Sequence, residues 1–254
     1  MLVLALPAYN ESEAIGPLLE RVAPAFREVE GSACVLLVDD GSGDDTVARA
    51  KAAAAKLGLT LEVAPHGRNL GLGAALRTCL SKGAELAGPS GTVVVMDTDN
   101  THDPALIPRM LAKLASGFDV VIASRYAPGG KEIGLSARRR LMSRGASLLL
   151  RTLVHVRGAR DYSCGYRAYR AATLRRAFGV YGDAFITESG FVSSAEILLK
   201  LAWLPSRVAE VPLVLRYDLK GGASKMKVGA TVRRYFRLAA AGRRAAAKAR
   251  GRTA

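Results

Sequence analysis

The chain has 254 residues, 50% hydrophobic and 23% charged, a balance that lets one domain or two small ones bury a core and excludes a disordered chain. Its most apolar stretches, Val93–Met96, Leu148–Leu150 and Ile197–Leu204, are short or broken by Arg151 and Lys200, whereas a bilayer-spanning helix needs about 20 apolar residues in a row. The formal net charge of +15 is unevenly laid out: acids outnumber bases over residues 1–118, and bases outnumber acids more than threefold over 119–254, so the two halves face different partners.

Leu2–Pro7 opens the chain without a basic stretch before it or a small-residue cleavage site after it. It reads as a first strand and not as a signal peptide, which predicts a cytoplasmic address. Helical spacing over Ala14–Glu28, a strand over Ala33–Asp39, a helix over Asp45–Leu57, a strand over Leu61–Ala64, a helix over Leu72–Leu86 and a strand over Thr92–Met96 follow. Strand and helix in repeated alternation predict an α/β sandwich around a mostly parallel sheet. Polar clusters close three of the strands: Tyr9-Asn10-Glu11, Asp39-Asp40-Gly41-Ser42 and Asp97-Thr98-Asp99. Ligands of such sheets bind beyond the carboxyl ends of the strands, so these clusters stand where a site belongs. Asp44, Asp45 and Thr46 supply capping groups for the helix that follows.

Past Gly117 the pattern loosens into a second region. A strand over Asp119–Ala123 leads through Ser124-Arg125-Tyr126 to a loop at Pro128–Lys131 and a basic helix over Ser136–Val154. Asp161–Arg170 reads as a turn and strand, Ser189–Leu204 as an amphipathic helix, and Arg207–Tyr217 as a strand returning to the sheet. Beyond the last acid, Asp218, stand 11 basic residues, which suit nucleic acid, anionic headgroups or a phosphorylated ligand. There Val232, Tyr235, Phe236 and Ala239 recur at helical spacing, with Arg233, Arg234, Arg237, Arg243 and Arg244 on the other sides. The pattern fits an interfacial helix on an anionic membrane, and a solvated basic tail is the plainer alternative. Cys34, Cys79 and Cys164 have no Cys-x-x-Cys spacing and read as small reduced hydrophobes.

Asp97 and Asp99, followed by His102 and Asp103, form a hard oxygen-donor cluster suited to Mg²⁺ or Mn²⁺, and a cation there would neutralise a diphosphate. The same pattern also serves as an ordinary turn and cap. Around it stand Pro7-Ala8-Tyr9-Asn10-Glu11, Val38-Asp39-Asp40-Gly41-Ser42, Asn69-Leu70-Gly71-Leu72-Gly73, Met96 to Pro104, Ala123-Ser124-Arg125-Tyr126 and Asp161 to Tyr169. In order and spacing these segments resemble family 2 glycosyltransferases, and over residues 2–228 the chain is similar to their dolichol- and polyprenyl-phosphate branch.

The resemblance implies a GT-A fold, a nucleotide-sugar donor (GDP-mannose ahead of a UDP-sugar), a divalent metal and a polyprenyl-phosphate acceptor. It implies a transferase domain over 1–228, with donor half 1–118 and acceptor half 119–228, and a basic tail over 229–254. Carried over by position, Pro7, Tyr9, Glu11, Asp39, Asp40, Gly73, Asp97 and Thr98 fall on the donor side. Asp97 and Asp99 match the metal and diphosphate ligands, with Thr101 as a third ligand where the family often has glutamine. Arg125, Arg139 and Ser143 match acceptor-side positions, and Gly222-Ala223-Ser224-Lys225 resembles a glycine-x-serine-lysine segment. The arginine that usually precedes that segment falls on Leu219, so its phosphate role either passes to Lys220 or is lost.

The chemistry of such an acceptor agrees with the charge pattern. A phosphate monoester is already largely ionised at neutral pH, its second pKa being about 6, so no general base is needed. The requirement is to hold two anions together, with metal on one side and guanidinium groups on the other. That predicts one inverting displacement in which Asp97 and Asp99 hold the metal while Arg125 and Arg139 orient the acceptor. A family member glycosylating a soluble or protein hydroxyl is the alternative, and would recruit Asp161 or Glu188 as base. A nucleic-acid binder has only the charge in its favour, since 6% of residues are aromatic and no helix-turn-helix or zinc spacing accompanies it. The expected location is peripheral, on the inner face of the cell membrane.

Overall fold

The computed structural model describes residues 1–134, 144–145, 147–148, 151–152, 154–190, 192–219 and 234. The site residues expected at Arg139, Ser143, Lys220 and Lys225, and the tail helix apart from Arg234, lie outside the described residues. The described residues build a seven-stranded sheet of order β3-β2-β1-β4-β7-β5-β8. Its first half is β1 (Leu2–Ala8), α1 (Ser12–Arg27), β2 (Ala33–Asp39), α2 (Thr46–Leu57), β3 (Leu61–Pro65), α3 (Leu72–Ala87) and β4 (Thr92–Val95), close to the sequence expectation. Strands buried on both faces of a parallel sheet read as unbroken apolar runs, and Val3, Leu4, Ala5 and Leu6 of β1 are wholly buried.

β1 pairs in parallel with β2 from Leu2↔Ala33 to Ala8↔Asp39 and with β4 from Leu2↔Thr92 to Ala5↔Val95. The chain thus steps outward through β2 and β3, then crosses back to lay β4 on the other side of β1. Right-handed crossovers in opposite directions place their helices on opposite faces of the sheet. Accordingly α1 packs on α2, whereas α3 packs on the later helix Ala171–Tyr181.

The second half is α4 (Ile107–Ala115), β5 (Val120–Ser124), β6 (Lys131–Ile133), β7 (Arg167–Arg170), α5 (Ala171–Tyr181), α6 (Val192–Ala202), β8 (Val208–Pro212) and β9 (Val214–Arg216). β7 runs antiparallel between β4 and β5, and β8 closes the edge parallel to β5. The single strand expected over Arg207–Tyr217 is two: β8 stays in the main sheet, while β9 leaves it to pair in parallel with β6. The division falls at Leu213, whose amide still bonds the Ser124 carbonyl while its own carbonyl accepts from Lys131 at the start of β6.

Of the capping residues expected, Asp44 accepts from the Thr46 amide and hydroxyl and from the Ser12 amide, while Asp45 at the N-cap makes no side-chain cap bond. All three cysteines are free and buried, and burial pushes each thiol up, that of Cys164 to about 12. No helix among the described residues is long and apolar enough to cross a membrane.

Leu4 stands at the centre of β1 with no exposure. Leu4→Ala should therefore cost about 3 kcal/mol of unfolding free energy, the typical cost of a buried leucine truncation. Urea denaturation measures it, and a loss under about 1 kcal/mol would mean that β1 is not the packed centre of the sheet.

Candidate active site

The return of the chain from β3 to β4 opens a crevice between the carboxyl ends of β1 and β4, the switch point at which open α/β sheets bind ligands. Its two lips are joined directly, because the Thr98 hydroxyl donates to the Pro7 carbonyl at 2.7 Å. On the β1 side Tyr9 is 37% exposed. Asn10 follows at φ 55°, its amide on Ser42 Oγ and its side-chain oxygen accepting from Gly43. The Glu11 amide donates to Thr46 Oγ1. These bonds seat the β1 exit on the β2 exit, where Asp39 accepts the Ser42 amide at 3.2 Å.

Asp40 has a different task from its neighbour. It is buried, its Oδ1 accepts the Leu70 amide at 2.9 Å, its Oδ2 accepts the Gly71 amide at 2.8 Å, and His66 Nδ1 lies 2.7 Å away. His66 Nε2 in turn meets Thr78 of α3 at 3.0 Å. Asp40, expected on the donor side, has both its oxygens engaged in fixing the start of α3. Gly73, also expected on the donor side, serves packing. A Cβ there would lie 2.2 Å from the Glu188 carbonyl oxygen, so the glycine admits a close backbone approach between α3 and the segment before α6.

Beyond β4, Asp97, Thr98 and Asp99 begin a loop secured from several sides. Thr101 donates to Asp99 Oδ1 from its hydroxyl at 2.7 Å and its amide at 3.2 Å. Arg21 of α1 donates to the carbonyl and side-chain oxygens of Asn100 and reaches Asp103 at 3.4 Å. The Tyr166 hydroxyl donates to the Asp103 carbonyl, and its ring lies against His102. Gly165 lets that segment pass close to Asp97, since a Cβ on it would stand 3.3 Å from Asp97 Oδ1.

The expected acceptor arginine at the end of β5 is engaged elsewhere. Arg125 Nε and Nη2 clasp the two Asp161 oxygens at 2.7 Å each, Nη2 also donates to Ser163, and Nη1 lies 3.3 Å from Glu132. The Arg125 side chain is 10% exposed, and those of Asp161 and Glu132 are 0% and 1%. Arg125, expected on the acceptor side, is thus a buried cross-loop tie in this structure. Burial alone would push Asp161 up, but the Arg125 charge and the hydrogen bonds outweigh it and hold the carboxyl below its usual range. Glu196 accepts from Thr187, from the Glu188 amide and from Lys200. Glu188 lies 3.8 Å from Arg234. His66, Arg21 and Tyr166 were not expected at the site, since each belongs to an element remote in sequence from the loop that it holds.

A mostly parallel sheet with an antiparallel strand inserted beside the acidic switch-point loop is the architecture of a GT-A sugar-transferring enzyme. The chain belongs to glycosyl transferase family 2, whose model matches residues 4–178. It is 34% identical over 228 residues to an undecaprenyl-phosphate mannosyltransferase of Micrococcus luteus, covering 88% of this chain and 86% of that protein. It is 32% identical over 231 residues to a polyprenol monophosphomannose synthase of Mycolicibacterium smegmatis, covering 91% and 82%. Among solved structures, the glucosyl-3-phosphoglycerate synthase of Mycobacterium tuberculosis in complex with Mn²⁺, UDP-glucose and phosphoglyceric acid shares the fold with a TM-score of 0.66. That likeness is at 21% identity and covers 95% of this chain and 79% of that one.

The Arg125–Asp161 pair predicts a pH signature. A carboxyl held below its unfolded pKa of about 3.9 stabilises the fold fully above that value and loses the contribution as pH falls through the lowered one. Asp161→Asn, which leaves Arg125 buried without its partner, should cost about 3–5 kcal/mol at pH 7. The gap to wild type should narrow below about pH 4. Denaturation at both pH values checks this, and an equal gap at each would remove the ion pair as its cause.

Proposed function

We propose that this glycosyltransferase moves a mannosyl unit from a nucleotide sugar, GDP-mannose ahead of UDP-sugars, to the phosphate of a polyprenyl phosphate, with inversion at the anomeric carbon. The observation that carries the reading is the Asp97-Thr98-Asp99 loop at the β1/β4 switch point, with Thr98 bonded to Pro7. The names of the relatives supply the acceptor class. In this reading residues 1–228 are the transferase domain and 229–254 a basic tail. Pro7, Tyr9, Glu11, Asp39 and Thr98 receive the nucleotide and sugar.

The donor set fits a hard divalent cation. Among the described residues no group of three or more His, Cys, Asp or Glu gathers to hold a metal, and in this reading the pair Asp97 and Asp99 beyond β4 would hold the cation. Mg²⁺ is commonly held by one or two carboxylates together with substrate phosphates and water, and Mn²⁺ accepts the same oxygen ligands. When bound, such an ion would supply charge neutralisation to the departing nucleoside diphosphate. Asp97 and Asp99 hold the charge in place, and the β1 and β2 exits hold the nucleotide.

The acceptor phosphate arrives ionised and needs no base. Of the two carboxylates that a hydroxyl acceptor would recruit, Asp161 is locked to Arg125 at 2.7 Å, which favours the phosphate. With Arg125 engaged there, the phosphate falls to Arg139, Ser143, Lys220 and Lys225, and Arg125 acts by positioning. A lipid acceptor places the enzyme peripherally on the inner face of the membrane, where a basic tail adds attraction to anionic headgroups.

The test is turnover of a nucleotide-sugar panel with Mg²⁺ or Mn²⁺ against a short polyprenyl phosphate and the matching polyprenol. Transfer to the phosphate alone is expected, and transfer to the alcohol would favour base-assisted chemistry. Asp97→Asn and Asp99→Asn should each lower turnover about 100-fold or more, the scale of removing an electrostatic group at a developing charge. Near-normal turnover in both variants would sink the assignment of the loop.

A further inference from the structure

Thr101 was expected as a metal ligand, but its bonds run to a ligand instead. It is 3% exposed, and both donors it can offer, hydroxyl and amide, meet the same oxygen of Asp99 at 2.7 and 3.2 Å. Two donors from one rigid residue restrict the rotation of the carboxylate as well as its position, because a β-branched side chain has few χ1 choices. Loss of a partner that orients a metal-ligating side chain typically costs about 10- to 100-fold in metal affinity.

Thr101 is itself anchored from outside the donor half. Its carbonyl accepts the amide of Arg216 in β9 at 3.1 Å. β9 pairs with β6, and these two strands lead along the chain toward residues 135–143 and 220–233, which carry Arg139, Ser143, Lys220 and Lys225. On its other flank Asn100 is held at φ 65° by Arg21. The backbone on either side of Thr101 is therefore fixed independently of the Asp99 contact, so the hydroxyl acts from a stationary base.

Resting on the transferase reading above, we propose that Thr101 is a positioning residue. It presents Asp99 to the cation and diphosphate, and through the Arg216 amide it links that presentation to the acceptor-side sheet β6–β9. The residue works through Asp99 and does not itself touch the reacting atoms.

The experiment compares Thr101→Val, which keeps the shape and removes the hydroxyl, with Thr101→Ser, which keeps the hydroxyl. The probes are GDP and UDP titrated calorimetrically with and without Mn²⁺, amide hydrogen exchange over residues 99–102 in metal-free protein, and donor KM against kcat. Thr101→Val should weaken Mn²⁺-dependent nucleotide binding about tenfold or more and, before any metal is added, speed exchange of the position-101 amide, whose acceptor is the Asp99 carboxylate. Thr101→Ser should restore both. Wild-type binding and exchange in Thr101→Val would overturn the assignment, as would a Thr101→Ser protein as impaired as the valine variant. A wild-type protein that binds neither nucleotide in the presence of Mn²⁺ would overturn the transferase reading itself, and this inference with it.

Discussion

An antiparallel strand in the middle of an otherwise parallel sheet must enter from the carboxyl edge, and the chain that delivers it crosses the floor of the site. Asp161 holds that chain in place. Its wholly buried carboxylate accepts from the backbone and guanidinium of Arg125 and from the amides of Ser163 and Cys164. A carboxylate taken out of water is costly unless it is paired and hydrogen-bonded on all sides, and here it is both. Everything downstream is set by that anchor: Gly165 passes beside Asp97, Tyr166 reaches the Asp103 carbonyl, and Arg167 comes into register with Val95 of β4. The acidic loop is therefore shaped as much by the segment before β7 as by the strand from which it grows.

Among the described residues, part of the basic charge of the second half is spent inside the fold. Arg125 is engaged by Asp161, and Arg167, fully buried, donates to the carbonyls of Ser194 and Tyr162. Arg170 donates to the carbonyls of Phe118 and Leu114. Arginine suits such work because its planar fork of donors can satisfy several carbonyls at once. A count of charges cannot separate these internal ties from cations available to an anion, and only the hydrogen-bond partners do so.

The parallel strands and the crevice were legible because both follow from local pattern: unbroken apolar runs mark strands buried on two faces, and polar residues mark where they end. What escaped was mostly tertiary. The helix over Ile107–Ala115 is an exception, since Ile107, Met110, Leu111 and Leu114 recur at helical spacing; neither it nor the helix over Ala171–Tyr181 is among the elements expected from the sequence. The strand over Arg207–Tyr217 divides because its second part finds a different partner, which no spacing announces. Asp39 and Asp40 are chemically identical neighbours, yet successive side chains leave an extended backbone on opposite sides, and Asp40 is drawn to the amides that open α3. The motif brought both carboxylates to the switch point, but it could not tell which of them the fold would engage.

Gly134 adopts φ 77°, and a Cβ on it would lie 2.6 Å from the amide nitrogen of Asp218. The exits from β6 and β9 thus converge on one junction, although 83 residues of chain separate Gly134 from Asp218 and begin after the first exit. Parallel pairing makes this unavoidable, since strands that run the same way end at the same side. Any side chain introduced at position 134 must displace the backbone of the other exit, so the two chain segments inherit a common point of departure and cannot be re-aimed separately.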